Sequence, residues 1–351
     1  MKNQIRVAFI VTKLSNAAPV LYVQSLVNYL IAFADIEVYY FDDVVELKFA
    51  CPVRRINFTE NVDFSKFDIL HSHGFRPDLF LLRNKSGFKG ITISTIHSYI
   101  HYDIKSQYNA FVSLVFCKLW IYSLNKKDYV ITLSNDMKSY YKRYLNKAKI
   151  KFIHSGHSLP EILEPVCPDE TNLIKSFKGD TILLGVIANL RRQKGINQII
   201  DAISKNGDYS LLVIGDGKVR EDLERQAVRN NCFDRCLFLG YKKEAHKYLK
   251  FIDVYVMSSY QEGFGLVNLE AALYNKPVVC SNINVFKEIF NESCVSFFDL
   301  NDTDSLIVAL SKIKQNYNYF SENLNQLVAT KYTPERMGKE YFLLYEDLKF
   351  I

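Results

Sequence analysis

The chain has 351 residues, 48% apolar and 23% charged, with a net charge of +6 at neutral pH. That composition belongs to a globular protein with room for two ordinary domains and excludes a disordered or low-complexity chain. Seven cysteines, odd in number and scattered through mostly apolar segments, exclude a secreted disulfide scaffold and suit reduced thiols in a cytoplasm.

Residues 5–12 open the chain as an apolar run that reads as a buried strand; it is too short, and too soon followed by polar residues, for a signal sequence. Further strands are predicted at 36–41, 68–71, 91–97, 129–133 and 151–154, with amphipathic helical segments at 21–33 and 135–145 between them. Strands alternating with helices are the sequence form of a doubly wound parallel sheet. The apolar run 111–124 is interrupted by Lys118 and is too short to span a bilayer, so it reads as a buried helix, with Trp120 and Tyr122 as supplementary contacts to a surface. Residues 1–165 hold 21 Lys and Arg against 14 Asp and Glu, while the remainder holds 23 against 24. A basic half of this kind points toward something anionic, and the expected partner is an anionic membrane surface or a phosphate-bearing lipid, not nucleic acid.

Residues 160–172, PEILEPVCPDETN, read as a linker. The alternation then restarts, with strands predicted at 182–188, 211–215, 237–240, 254–258, 277–281 and 295–298. A helix over 196–203 places Ile196, Ile199, Ile200 and Ile203 on one face. Cys232 and Cys236 form a lone pair with no second pair downstream, which argues against zinc. The fold class is therefore α/β, two Rossmann-like doubly wound domains, with ligands expected at the carboxyl ends of the strands.

The stretch 258–272, SSYQEGFGLVNLEAA, follows an apolar strand and opens a helix. Gly263 and Gly265 permit a tight turn. The backbone N–H groups through Phe264, Leu266 and Val267 lie where a helix N-terminus favours an anion such as a diphosphate. Glu270, one turn inside, is placed to accept hydrogen bonds from a ribose, and Glu262, before the turn, from a sugar. Gly215 lies in a GDG turn and Gly240 with Tyr241 ends another strand. Asp302 and Asp304 form a DxD that reads as a helix cap rather than a metal site.

E-G-F-G-L followed by a second Glu eight residues after the first resembles the EX7E signature of retaining glycosyltransferases, particularly glycosyltransferase family 4. ILLGVIANLRRQKG, LLVIGDGKVREDLE, LFLGY, KPVVCS and TPERMGKEYFLLYEDL fall in the order that family shows; DILHSHG, TIHSY and VITLSNDM match more loosely. The resemblance implies a GT-B enzyme in which two Rossmann-like domains face a cleft. It would move a sugar, with retention, from a nucleoside diphosphate sugar to a glycan or lipid-linked acceptor. UDP is the expected nucleotide, GDP the next, and no metal or other cofactor is required. Residues 1–165 would be the acceptor side, 173–333 the donor domain, and the helix over 334–351 would pack back on the first domain.

By the same resemblance Lys194, with Arg191, neutralises the diphosphate, Glu262 contacts the sugar, and Glu270 the ribose. Residues 263–267 and Gly215, Gly240 and Tyr241 line the nucleotide, and His97 contacts the donor sugar near the reaction centre. His71 and His73 match an HxH read as structural or acceptor-side. Four positions depart from the family: Asn189 where Arg is usual, Ala17 and Ala18 for a Gly-Gly loop, Ser155 for Asn, and Asn275 for Gly. Two other readings stay open, a metal-dependent hydrolase built on His71 and His73 and a nucleotide-sugar-binding relative without activity.

Overall fold

The computed structural model describes residues 4–107, 109–159 and 165–349, in two compact units, 1–157 with 332–351, and 158–331. The first unit begins β1 (Ile5–Val11), α1 (Ala18–Leu30), β2 (Ala34–Tyr40), β3 (Val53–Arg55), β4 (Ile69–His73) and α2 (Phe75–Asn84). It continues through β5 (Ile91–Ile96), α3 (Ile100–Gln107), α4 (Ala110–Asn125), β6 (Tyr129–Thr132), α5 (Asn135–Tyr141) and β7 (Ile150–Phe152). Its sheet is parallel, in the order β3-β2-β1-β4-β5-β6-β7. Strands covered on both faces become continuous apolar runs. In β1 every residue except Arg6 is buried. Ala8, Ile10, Tyr39, Phe41, Leu70 and Phe80 belong to one core of this unit. Strand β3 has no counterpart among the predicted elements, because Val53, Arg54 and Arg55 are all exposed at the sheet edge and carry no apolar signal.

Helix α4 departs from the buried helix that its composition predicts. Ser113, Cys117, Trp120, Ser123 and Leu124 face inward, while Phe111, Leu114, Val115, Lys118, Leu119 and Tyr122 are exposed. Trp120 is therefore a core residue and not a surface contact; its indole N–H donates to Asp78 Oδ2 at 2.7 Å. Asp78 also accepts from Ser72 Oγ at 2.6 Å, and its backbone carbonyl accepts from Lys127 Nζ at 2.9 Å. Burial pushes the Asp78 carboxyl up and holds the Lys127 ammonium down at about 8.

The second unit holds α6 (Pro168–Lys178), β8 (Ile182–Ile187), α7 (Ile196–Lys205), β9 (Tyr209–Ile214), α8 (Arg220–Arg229) and β10 (Cys236–Gly240). It goes on with β11 (Val254–Met257), α9 (Leu266–Leu273), β12 (Val278–Ser281), α10 (Asn284–Ile289), β13 (Ser296–Phe298), α11 (Thr303–Gln315) and α12 (Tyr317–Lys331). The sheet is parallel, in the order β10-β9-β8-β11-β12-β13. Ile196, Ile199, Ile200 and Ile203 of α7 are all in its core. Part of the predicted linker, 160–164, lies outside the described residues; from Pro168 the chain is already helical, since a proline in the first turn costs no hydrogen bond. The chain rejoins the first unit at Tyr332 and ends in α13 (Pro334–Lys349), so the division falls after His157 and before Tyr332 rather than after 165 and 333. Helix α13 is fixed by buried tyrosines, with Tyr22 OH donating to Tyr341 OH at 2.9 Å.

Candidate active site

In the second sheet the winding reverses between β8 and β11, and crossovers that leave to opposite faces open a crevice at the carboxyl ends of these two strands. The loops beside that crevice are 188–195 and 258–265, which contain Lys194 and Glu262. They are tied together at close range. Gly195 adopts a left-handed φ of 62°, and a Cβ there would lie 2.2 Å from the Ser258 carbonyl oxygen, so only glycine lets the loops meet. Ser258 Oγ donates to the Lys194 carbonyl at 2.8 Å, and the Tyr260 N–H to the Gln193 carbonyl at 2.8 Å.

This knitting sets Lys194 Nζ 2.5 Å from Glu262 Oε1, which also accepts from Ser259 Oγ at 2.7 Å. With side chains only 21% and 13% exposed, the pair sits where water screens charge less than at an open surface. Gly265 caps α9 in a left-handed conformation, φ 81°, so the helix opens at once with no side chain over its first N–H groups. Leu266 and Val267 form that first turn and are half-buried. The Phe264 side chain is in the core, so its backbone is the part that can serve a ligand. Glu270 is half-buried one turn in, and the buried Tyr255 hydroxyl is pushed well up by burial and then by both Glu262 and Glu270. One buried ring thus feels both carboxylates.

Arg191 lines a cleft of about 480 Å³ with Arg192, Arg225, Arg229 and Tyr260, and neither Lys194 nor Glu262 stands in that wall. Gly215 donates its N–H to the Gly240 carbonyl at 2.8 Å, joining the ends of β9 and β10, and Tyr241 follows, 65% exposed. Asn268 is a residue that the motif did not single out. It is buried in the first turn of α9 with neither amide atom hydrogen-bonded.

The first unit has its own reversal, between β1 and β4. The loop after β1 takes a path that needs no left-handed residue: Ala17 is extended, φ −126°, and Pro19 falls in the first turn of α1. His73 ends β4 and His97 follows β5. His97 Nε2 lies 3.0 Å from His73 Nδ1, and the His97 ring meets Tyr22 edge-on at 5.1 Å. His71 pairs with Tyr345 OH at 2.6 Å and Thr95 Oγ1 at 2.8 Å. Burial pushes His71 and His97 down to about 3 and holds His73 well below the ordinary imidazole value, so all three are neutral at neutral pH. With both His71 nitrogens engaged, its HxH has no free nitrogen pair to ligate a metal. Asp302, the first member of the DxD, accepts the Ser305 N–H at 2.9 Å as the cap of α11, and Asp304 pairs with Lys205 at 2.9 Å.

Comparison with known proteins agrees with this fold. The family described as Glycosyltransferase Family 4 matches residues 33–159, and Glycosyl transferases group 1 matches 169–332. The O-antigen biosynthesis glycosyltransferase WclY of Escherichia coli is 28% identical over 98% of each chain. A UDP-Gal:alpha-D-GlcNAc-diphosphoundecaprenol alpha-1,3-galactosyltransferase, also of Escherichia coli, is 26% identical over 81% of this chain and 76% of its own. Anabaena HepE, solved in complex with UDP and glucose, superposes with a TM-score of 0.81 at 14% identity over 98% of this chain and 100% of that one. Sucrose-phosphate synthase from Thermosynechococcus elongatus gives 0.80 at 20% identity, over 98% and 99%. The two parallel-sheet units, the knitted EX7E loop and these matches together make the chain a glycosyltransferase of the GT-B fold, resembling family 4.

Proposed function

We propose that the protein transfers a sugar, with retention, from a nucleoside diphosphate sugar to a glycan or lipid-linked acceptor in the assembly of a surface polysaccharide. UDP is the first choice of nucleotide and GDP the second. The observation that carries this reading is the Lys194–Glu262 pair at the crevice beside the opening of α9, with Glu270 one turn further in. The leaving diphosphate gains charge as the glycosidic bond breaks. Lys194 and the N–H groups of Leu266 and Val267 are fixed before reaction to meet that charge. Glu262 then serves the sugar and Glu270 the ribose, while the neutral His97 hydrogen-bonds the donor sugar. Relatives named for O-antigen synthesis and for transfer from UDP-Gal support the pathway and the nucleotide.

The same reading has the enzyme work without a divalent metal, at the cytoplasmic face of an anionic membrane. Among the described residues no helix is long and apolar enough to cross one. The exposed stripe of α4 supports surface contact instead: it carries Lys118 and no acidic residue, and Lys105, Lys126, Lys142, Arg143 and Lys147 are exposed nearby in sequence.

The test is release of nucleoside diphosphate from a panel of UDP- and GDP-sugars with lipid-linked acceptors, before and after exhaustive treatment with EDTA. Turnover that survives chelation, and falls about 100-fold in Lys194→Ala, is the expected result. Activity that vanishes with EDTA and returns with Mg²⁺ or Mn²⁺ would overturn the metal-free mechanism.

A further inference from the structure

His97 and His73 share one short contact, Nε2 to Nδ1 at 3.0 Å, and both rings are neutral. A neutral imidazole has one N–H and one bare nitrogen, so a single proton lies between the two rings and their tautomers are coupled. Two arrangements satisfy the contact. If His97 Nε2–H donates, His73 must carry its own proton on Nε2. That nitrogen is buried without a hydrogen-bond partner, among the rings of Phe9, Tyr22 and His71. If His73 Nδ1–H donates, its Nε2 is a bare acceptor instead. Orphaned buried N–H groups are rarer in folded proteins than under-satisfied acceptors, which favours the second arrangement.

We infer that His73 is a positioning residue for His97: its Nδ1–H donates to His97 Nε2, holding His97 as the Nδ1–H tautomer, so that His97 offers the donor sugar a hydrogen-bond donor and has no free basic nitrogen. This rests on the proposed contact between His97 and the sugar. Two further observations fix the His73 ring. It packs tilted against the His71 ring with centroids 4.4 Å apart, and His71 is itself pinned by Tyr345 and Thr95. Among the described residues no protein group engages His97 Nδ1, which leaves that N–H for an oxygen of the substrate. The chemical consequence is specific. The lone pair of His97 is spent on His73, so His97 steers or stabilises oxygen atoms of the sugar and does not remove the proton of the attacking hydroxyl.

The experiment uses the full chain labelled with ¹⁵N-histidine, with two-bond ¹H–¹⁵N spectra reporting which ring nitrogen carries the proton and His97→Gln assigning the signals. His97 protonated on Nδ1 is the expected result; His97 protonated on Nε2 overturns the inference in the wild-type protein alone, without any variant that has to fold. His73→Leu should move His97 to the Nε2–H form and lower kcat roughly tenfold, the scale of one misdirected hydrogen bond, with KM for the donor little changed. His73→Asn, which keeps an N–H donor near the Nδ1 position, should restore most of both. An unchanged His97 tautomer in His73→Leu would also overturn the inference. Full turnover in His97→Ala would reject the sugar contact on which it rests, while the spectra still decide the tautomer.

Discussion

Glu262 and Glu270 are separated by a short loop and one helical turn and, in the proposed binding mode, meet different parts of a nucleotide sugar, so their removal has different costs. Glu270→Ala takes away acceptors for ribose hydroxyls and should weaken binding of bare UDP by about 1.5–3 kcal/mol, the range for hydrogen bonds to a charged group. Glu262→Ala removes the partner of Lys194 but leaves that cation beside the diphosphate. It should leave UDP affinity within about twofold, since Lys194 still meets the diphosphate, and depress turnover of the sugar donor. Calorimetric titration of both variants with UDP checks this, and equal losses would end the division of roles. These two residues were legible in the sequence because one loop and one helical turn bring them together, whatever the rest of the chain does. The His73–His97 contact was not, since it depends on the register of β4 and β5, which sets His73 opposite Thr95 and so within reach of the residue two further on. Asn275 shows the middle case. It departs from the glycine of the family yet takes φ 54°, because Asn tolerates the left-handed region better than other residues with a Cβ.

At the scale of elements, α4 is where reading the sequence goes most astray, and its exposed face leads to a prediction. The helix is apolar nearly all the way round, so periodicity does not say which side is inside. Packing decides: Cys117, Trp120 and Leu124 go in, while Phe111 is left 77% exposed at the head of a stripe through Leu114, Val115, Leu119 and Tyr122. An apolar stripe with a lysine and no carboxylate suits an anionic bilayer. Co-sedimentation with phosphatidylglycerol-containing vesicles should be strong at low salt and weaker at high salt. It should be lost in Leu114→Asp/Val115→Asp, with UDP affinity unchanged because the nucleotide residues belong to the other unit. No binding at low salt would sink the membrane contact, and a soluble dimer dissolved by the same variant would assign the stripe to a second copy. The strands were legible for the opposite reason. Buried on both faces, they are continuous apolar runs, and only β3, exposed and charged at its edge, escaped notice.

At the scale of the whole molecule, the titrating and reporting groups are unevenly divided between the two units. Six of the seven histidines, all but His246, and the single tryptophan lie in the first unit. Trp120 is buried there, so its fluorescence follows the unfolding of that unit alone. His71, with no exposed surface, is held down at about 3 by burial and then by His97, against an ordinary value of 6.5. Below 6.5 the unfolded chain takes up a proton that the folded chain refuses until about 3, so stability is fully present above that ordinary value and is lost as the pH falls through this window. One such group costs on the order of 2 kcal/mol by pH 5. His73 and His97 act in the same direction. Asp78 opposes them, because burial raises its carboxyl and the folded state then gains the proton first. Lys127, held near 8, is already mostly charged at pH 7.5 and adds little slope below it. Three histidines against one carboxyl leave the net sign clear. The urea midpoint read by Trp120 should fall between pH 7.5 and pH 5, while the part of the far-UV transition that Trp120 does not follow, belonging to the unit with His246 alone, should move much less. A Trp120 midpoint that stays level or rises on acidification would mean that His71, His73 and His97 are not held neutral, and the donor role assigned to His97 would lose its electrostatic basis.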